Sequence, residues 1–263
     1  MPLADLPDSR TEPDGSAVVR LLSYNVRSLR DDREALARVV RACAPDVLCV
    51  QEAPRFFRWR KHAARLARTT GLTYVTGGAT ATGPMILAAL RAGVVRAEDV
   101  LLPHTPGLHR RGLATAVLRF GGAAPLGVVS CHLGLDAAER YRQGELLLER
   151  VGALGAEHAV VAGDLNEPSS GRTSRRLTEH LGDARTAAPW GEEATYSAAE
   201  PRRRIDAVLT SPGVEVLGCG VPKGLPGVAE RDLRAATDHL PVLAVLRVPA
   251  ARGAADSART HAG

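Results

Sequence analysis

The stretch that most constrains this chain is Ala159-Val160-Val161-Ala162-Gly163-Asp164-Leu165-Asn166-Glu167-Pro168. Its apolar run, Ala159 to Ala162, predicts a buried strand bounded by Gly163. Pro168 forbids continuation as a central strand, because it has no N–H to give the ladder. Side chains alternate along an extended segment, so Asp164 and Asn166 are expected to project together from one strand end. A carboxylate beside a carboxamide can orient a water and bind an oxyanion. Asp and Asn equally serve to cap a turn through their own backbone. What else the chain brings to the same sheet end decides between the two.

Before this stretch, Val18 to Ser23 alternates as a strand and delivers Tyr24-Asn25-Val26-Arg27 at its end. Asp31 to Ala44 carries Leu36, Val39, Val40 and Cys43 at helical spacing, and Pro45 stops it. Asp46 to Val50 is a second apolar strand, ending in Gln51-Glu52. Strand, helix, strand is the signature of an α/β unit, whose ligands bind beyond the carboxyl ends of the strands. Strands are also expected over 83–90, 112–119 and 126–131, the last ending in His132, with a helix over 137–155.

After the Asp164 turn come a short helix over 172–181 and the segment Ala194-Thr195-Tyr196-Ser197. Arg204-Ile205-Asp206 then opens an apolar strand, and Thr237-Asp238-His239-Leu240-Pro241 precedes a last strand over 242–248. Residues 1–17, rich in Pro, Asp, Ser and Gly, are expected to be a disordered lead-in, and 249–263 a tail, around one domain over 18–248.

The charge of +5 is nearly all arginine, since Lys61 and Lys223 are the only lysines. Arginine suits bidentate contact with phosphate, so an anionic substrate is permitted without being identified. Arg55, Arg58, Arg60, Lys61, Arg65 and Arg68 interleave with Phe56, Phe57 and Trp59. This segment can present basic and aromatic groups to nucleic acid or a membrane surface. The reading favoured here is a helix with Phe57 and Leu66 facing the core and arginines on a solvated face. Cys43, Cys49, Cys131 and Cys219 show neither C-x-x-C nor zinc-like spacing, and no apolar run has membrane-spanning length. A reducing, cytoplasmic setting is expected. No H-E-x-x-H and no G-x-x-x-x-G-K-[ST] occurs, which removes the common zinc hydrolases and P-loop motors.

Each polar residue at these strand ends has a plain explanation. Asn25 can be a turn residue, Glu52 a surface charge and His132 a histidine bonded to backbone. Asp206 can form an ion pair with Arg204, and Thr237-Asp238 can cap a helix. Their recurrence at successive strand boundaries, where an α/β sheet places its site, is what those explanations leave out. In order, Asn25, Gln51-Glu52, His132, Gly163-Asp164-Leu165-Asn166, Arg204-Ile205-Asp206 and Thr237-Asp238-His239-x-Pro241 resemble the motifs of the endonuclease/exonuclease/phosphatase superfamily, the metal-dependent phosphoesterases that include deoxyribonuclease I.

The resemblance covers about residues 18–248 and implies an α/β, deoxyribonuclease I-like four-layer sandwich: two packed mixed β-sheets flanked by helices. It implies Glu52 as principal Mg²⁺ ligand, Mn²⁺ being able to substitute, with Asn25 beside it and Asp238 contributing. Mg²⁺ prefers hard oxygen donors and keeps several waters, so one or two carboxylates suffice. It implies His239 as general base or phosphate-polarising imidazole, oriented by Asp206. Asp164 would orient or deprotonate the attacking water, Asn166 would donate to the phosphoryl oxygens and His132 would contact the phosphate. Arg27 and Arg111, beside motif strands, either assist or lie at the surface.

The departures bear on the substrate. Ala53-Pro54 follows Gln51-Glu52, Pro201-Arg202-Arg203 precedes the Arg-Ile-Asp motif, and Ala207 follows it. These differ from the apurinic endonucleases and argue against a dedicated abasic-site enzyme. Tyr24-Asn25-Val26 and Gln51-Glu52-Ala53 look closer to sphingomyelinase-like and generic bacterial branches. The expectation is a Mg²⁺-dependent phosphodiesterase or phosphatase acting on nucleic acid, phospholipid or a phosphorylated metabolite. The alternative is a catalytically silent binding protein on the same scaffold.

Overall fold

The computed structural model describes residues 6–251. In chain order the strands and helices are β1 (Arg10–Thr11), β2 (Ala17–Asn25), α1 (Arg33–Cys43), β3 (Val47–Gln51), α2 (Trp59–Thr70), β4 (Thr73–Gly77), β5 (Met85–Ala88), β6 (Ala92–Leu101) and β7 (Gly112–Phe120). Then follow β8 (Leu126–His132), α3 (Ala137–Gly152), β9 (His158–Asp164), α4 (Arg172–Thr178), β10 (Gly182–Asp183), α5 (Ala184–Ala187), β11 (Asp206–Thr210), β12 (Glu215–Gly220), α6 (Glu230–Ala236) and β13 (Val242–Val248).

Two mixed sheets result. One runs β12-β13-β2-β3-β5-β4 with β1 beside the start of β2; the other runs β10-β11-β9-β8-β7-β6. Each is built around a parallel pair, β2 with β3 and β8 with β9, bordered by an antiparallel return, β13 and β11 respectively. Both pairs end at the same edge of the sandwich, so four strand termini converge there.

Strand parity explains the layers. In β2, Val19 and Leu21 belong to the core between the sheets, while Leu22 and Tyr24 face the layer of α1, α2 and α6. In β9, Val160 and Ala162 face inward, whereas Ala159 and Val161 meet α3 and α4. Four layers follow: helices, sheet, sheet, helices. Truncating a fully buried inner side chain such as Leu21 to Ala would cost about 2–5 kcal/mol, the lost burial plus the cavity left behind.

Local chemistry sets the helix ends. Asp32 caps α1, accepting from the backbone of Glu34 and Ala35 at 2.9 and 3.0 Å, and Asp136 caps α3, accepting from Glu139 at 2.8 Å. Gly163 is required for packing: a Cβ there would lie 2.0 Å from the Cys131 carbonyl oxygen on β8.

The sequence expectations are corrected at three places. The lead-in is ordered from residue 6, because Asp46 anchors it: Ser9 Oγ donates to its carboxylate at 2.6 Å, and β1 pairs with β2. The tail is paired up to Ala251, whose N–H donates to Gly122, and Ala250 bridges Ala123; the rest of that expectation lies outside the described residues. Phe57 does not face the core. It sits in the loop before α2 and is 84% exposed, and only Trp59, Leu66 and their neighbours pack inward. Strands β4, β6 and β12 were not expected.

Candidate active site

The inward-facing rows that build the core turn polar as they reach the convergent edge. On β2 the row Val19, Leu21 continues to Ser23 and Asn25; on β8, Leu126 and Val128 continue to Ser130 and His132. On β9 the row ends in Asp164, and on β11 Asp206 precedes the inward Val208. A buried polar layer lies under these residues and links the sheets. Ser23 Oγ donates to Gln51 Oε1 at 3.4 Å, Gln51 Nε2 donates to Ser130 Oγ at 3.4 Å, and Ser130 Oγ donates to the Val50 carbonyl at 2.9 Å. The satisfied network lets the core end without orphaned donors and holds the residues above it in place.

Register does the final positioning. His132 is paired with Asp164 across the parallel β8–β9 ladder, and Asp206 faces Asp164 across the antiparallel one. Thr195, fully buried, accepts from the backbone of Ile205 and Asp206 at 3.1 and 3.3 Å, and its carbonyl accepts from Leu240 at 2.7 Å. That one residue fixes both the start of β11 and the loop carrying His239.

Asp164 Oδ2 is the hub. Asn25 Nδ2 donates to it at 3.1 Å, while His132 Nε2 and His239 Nε2 lie 3.4 and 3.7 Å away. On its far side, His239 Nδ1 lies 2.9 Å from Asp206 Oδ2. Burial, reinforced by the Asp206 charge, pushes the Asp164 carboxyl up to about 7. Burial disfavours a charged His239, but the Asp206 carboxylate and its hydrogen bond outweigh it and raise the imidazole to about 9. Burial, with the nearby Arg111 and His239 charges, holds His132 well below its ordinary 6.5, so it is neutral.

Both readings of the Asp164–Asn166 turn hold at once. Asp164 Oδ1 accepts from the Asn166 backbone N–H at 2.9 Å, a turn cap, and both side chains line the same open cavity of about 470 Å³. Asn166 reaches it with a left-handed backbone (φ 55°) rather than by strand alternation. Its Nδ2 donates to the Leu133 carbonyl at 2.9 Å, leaving its second amide hydrogen for a ligand.

Glu52, expected as the metal carboxylate, is also in the cavity. Parity would send it to the helical side, but its left-handed backbone (φ 53°) ends the strand and Asn25 Nδ2 donates to its Oε1 at 3.2 Å. Asn25 therefore bridges Glu52 and Asp164, while its own Oδ1 accepts from the Arg27 N–H at 3.1 Å. Asp238 lines the cavity beside Arg27 Nε at 3.5 Å. The carboxylate oxygens of Glu52 and Asp238 suit a hard cation; the Asn25 oxygen, expected to join them, is turned to the Arg27 N–H, and its amide nitrogen faces Glu52 instead. The buried Asp164, Asp206 and His239 also lie close enough to hold a metal. The His239–Asp206 hydrogen bond and the imidazole nitrogen make the carboxylate oxygens of Glu52 and Asp238 the better fit for Mg²⁺.

Two arginines separate. Arg111 lines the cavity with a buried Nε that has no partner, while Arg27 sits in exposed pairs with Asp31 and Asp238. Arg204 does not pair with Asp206: it grips Asp183 in a bidentate pair at 2.6 and 3.0 Å, which leaves Asp206 to His239. Tyr196, a residue with no role expected from sequence, packs its ring 4.9 Å from that of His239 and lines the cavity with Arg55, His109 and Arg203. Its only signal in the sequence was its place ten residues before Asp206.

Comparison with known proteins agrees with this geometry. The model of the Endonuclease/Exonuclease/phosphatase family matches residues 22–239. Among solved structures, an endonuclease/exonuclease/phosphatase from Bacteroides vulgatus is 18% identical, with a TM-score of 0.73 over 88% of this chain and 99% of that one. One from Beutenbergia cavernae is 25% identical, with a TM-score of 0.69 over 88% and 72%. The mannosyl-6-phosphatase Bt3783 of Bacteroides thetaiotaomicron is 18% identical, with a TM-score of 0.71 over 87% and 99%. No protein of curated function matches the sequence.

Proposed function

This chain belongs to the Endonuclease/Exonuclease/phosphatase family, whose members are metal-dependent phosphoester hydrolases, and from that premise we propose that it is a Mg²⁺-dependent phosphoesterase. The observation that carries the reading is one cavity lined by Glu52, Arg111, Asp164, Asn166, Asp238 and His239, behind which Asp206 holds the His239 imidazole at 2.9 Å. A silent binding protein on this scaffold would be expected to have lost one of these groups. All are present.

The fit to Mg²⁺ rests on two carboxylates, Glu52 and Asp238, in a cavity with room for the waters such an ion keeps. When bound, Mg²⁺ would neutralise charge on the phosphoryl and leaving oxygens. Glu52, held by Asn25, would be the principal ligand, with Asp238 contributing.

Of the two roles open to His239, the charge distribution favours the second. With its proton held up to about pH 9, it is an imidazolium at neutral pH and donates from Nε2 to a phosphoryl oxygen. Asp164, poised near 7, is the group able to take the proton of the attacking water. As the water oxygen bonds to phosphorus and the bond to the leaving oxygen breaks, Arg111 and the free amide hydrogen of Asn166 stabilise the charge gathering on the phosphoryl oxygens. His132, neutral, contacts the phosphate from the side opposite His239.

The test is hydrolysis of a substrate panel with and without EDTA: an oligonucleotide, a choline phospholipid, a sugar phosphate, and aryl phosphate mono- and diesters. Mg²⁺-dependent turnover of at least one supports the reading and selects its branch. Silence of the folded protein on all of them favours the binding scaffold.

A further inference from the structure

Two of the three phenylalanines of this chain stand in water, next in sequence to a residue that lines the cavity. Phe56 and Phe57 are 80% and 84% exposed, directly after Arg55, which lines the cavity. A folded chain so poor in aromatic residues would be expected to bury both in its core. Two other loops bring apolar groups to the cavity. Leu135, 69% exposed, lines the cavity from the β8–α3 connection, and the exposed Leu108 adjoins His109, which lines it from the β6–β7 connection.

The charge around the phenylalanines has one sign. Arg55, Arg58, Arg60, Lys61, Arg65 and Arg68 lie in a span, residues 53–97, that contains no Asp or Glu. Among them Arg65 alone reaches a carboxylate, that of Glu34 at 3.9 Å. An apolar tip framed by arginine is the chemistry that enters a membrane interface.

Single-stranded nucleic acid asks for something else: free aromatic faces on which bases stack. Here the guanidinium of Arg55 lies 5.6 Å from the centre of the Phe56 ring, and that of Arg58 lies 5.4 Å from the centre of Phe57, which leaves one face of each ring free. Leu108 and Leu135, by contrast, have no π-face to offer. Rings and leucines together suit acyl chains better than bases.

We propose that this rim docks on an anionic lipid surface. Phe56 and Phe57 enter the interface, the arginines of 55–68 lie against the headgroups, and the cavity opens toward the bilayer.

The experiment is flotation of the full chain with vesicles in EDTA, so that binding is read without turnover and independently of whether the cavity hydrolyses a phosphoester. The vesicles are phosphatidylcholine alone and phosphatidylcholine mixed with phosphatidylglycerol. The expected result is flotation with the mixed vesicles, weakening with salt, and at least about tenfold weaker binding for Phe56→Ser/Phe57→Ser at an unchanged melting temperature. Absence of flotation with the mixed vesicles overturns the proposal, as does equal flotation of the variant. Phe-dependent binding of a fluorescent single-stranded oligonucleotide in place of vesicle binding would assign the rim to nucleic acid and overturn it too.

Discussion

His239 spans two buried carboxylates: its Nδ1 is 2.9 Å from Asp206 Oδ2 and its Nε2 is 3.7 Å from Asp164 Oδ2. The two acids repel and are taken from water together, so the imidazole between them is held charged and one acid is held near neutrality. Because the groups are coupled, protons leave the cluster as a unit, and its two steps define the working pH range. The kcat/KM profile is expected to be bell-shaped, with one limb near 7 and one near 9.

Replacing Asp206 removes the attraction and leaves the burial. In Asp206→Asn the His239 imidazole should fall from about 9, with only the more distant Asp164 and Asp238 charges left to oppose burial, and the upper limb of the profile should move down with it. NMR titration of the imidazole nitrogens in EDTA reads this directly. An unmoved His239 would remove Asp206 from its supporting role.

The same shifts make stability pH-dependent, and both act in one direction. His239 binds its proton more tightly folded than unfolded, so its contribution is complete below about 6.5 and is lost as pH rises to about 9. Asp164 is also raised, from 3.8 to about 7, so the fold is favoured while Asp164 is protonated and loses that advantage as pH rises through this window. In EDTA, Asp164→Asn should therefore melt at least about 2 °C higher than wild type at neutral pH, while losing activity. A lower melting temperature would mean that Asp164 is a structural anchor.

Asn25 touches both halves of the site, donating to Glu52 and to Asp164. Asn25→Ala should raise the Mg²⁺ concentration for half-maximal rate about ten- to hundredfold, the usual cost of losing a residue that orients a ligand. Glu52→Gln should raise it further. Mg²⁺ titrations of initial rate check both, and equal half-saturation in all three proteins would place the metal elsewhere.

Much of this site was legible from the order of its motifs. Asn25, His132, Asp164 and Asp206 stand at the boundaries of four apolar strands in an order that resembles a known family's motifs, which was enough to group them, and in the fold they end or begin inward rows. Glu52 and Asn166 reach the cavity through left-handed turns that parity does not describe. Tyr196 and Arg203 come from a connection whose path depends on Thr195. Phe57 was misassigned for a related reason: helical spacing placed it on α2, but the helix begins only at Trp59. Strand β6 escaped because its side chains are mostly exposed and carry no apolar alternation.

On the proposed function, the seam between the sheets would hydrolyse phosphoesters with Asp164 and His239 acting on a metal-loaded substrate. The most direct measurement is initial-rate hydrolysis of aryl phosphate mono- and diesters with Mg²⁺ titrated against EDTA, for wild type, Asp164→Asn and His239→Ala. Mg²⁺-dependent turnover is expected in wild type, with a loss of about 10²–10⁴-fold in each variant and no loss of fold. Turnover that survives EDTA and both substitutions would contradict the claim.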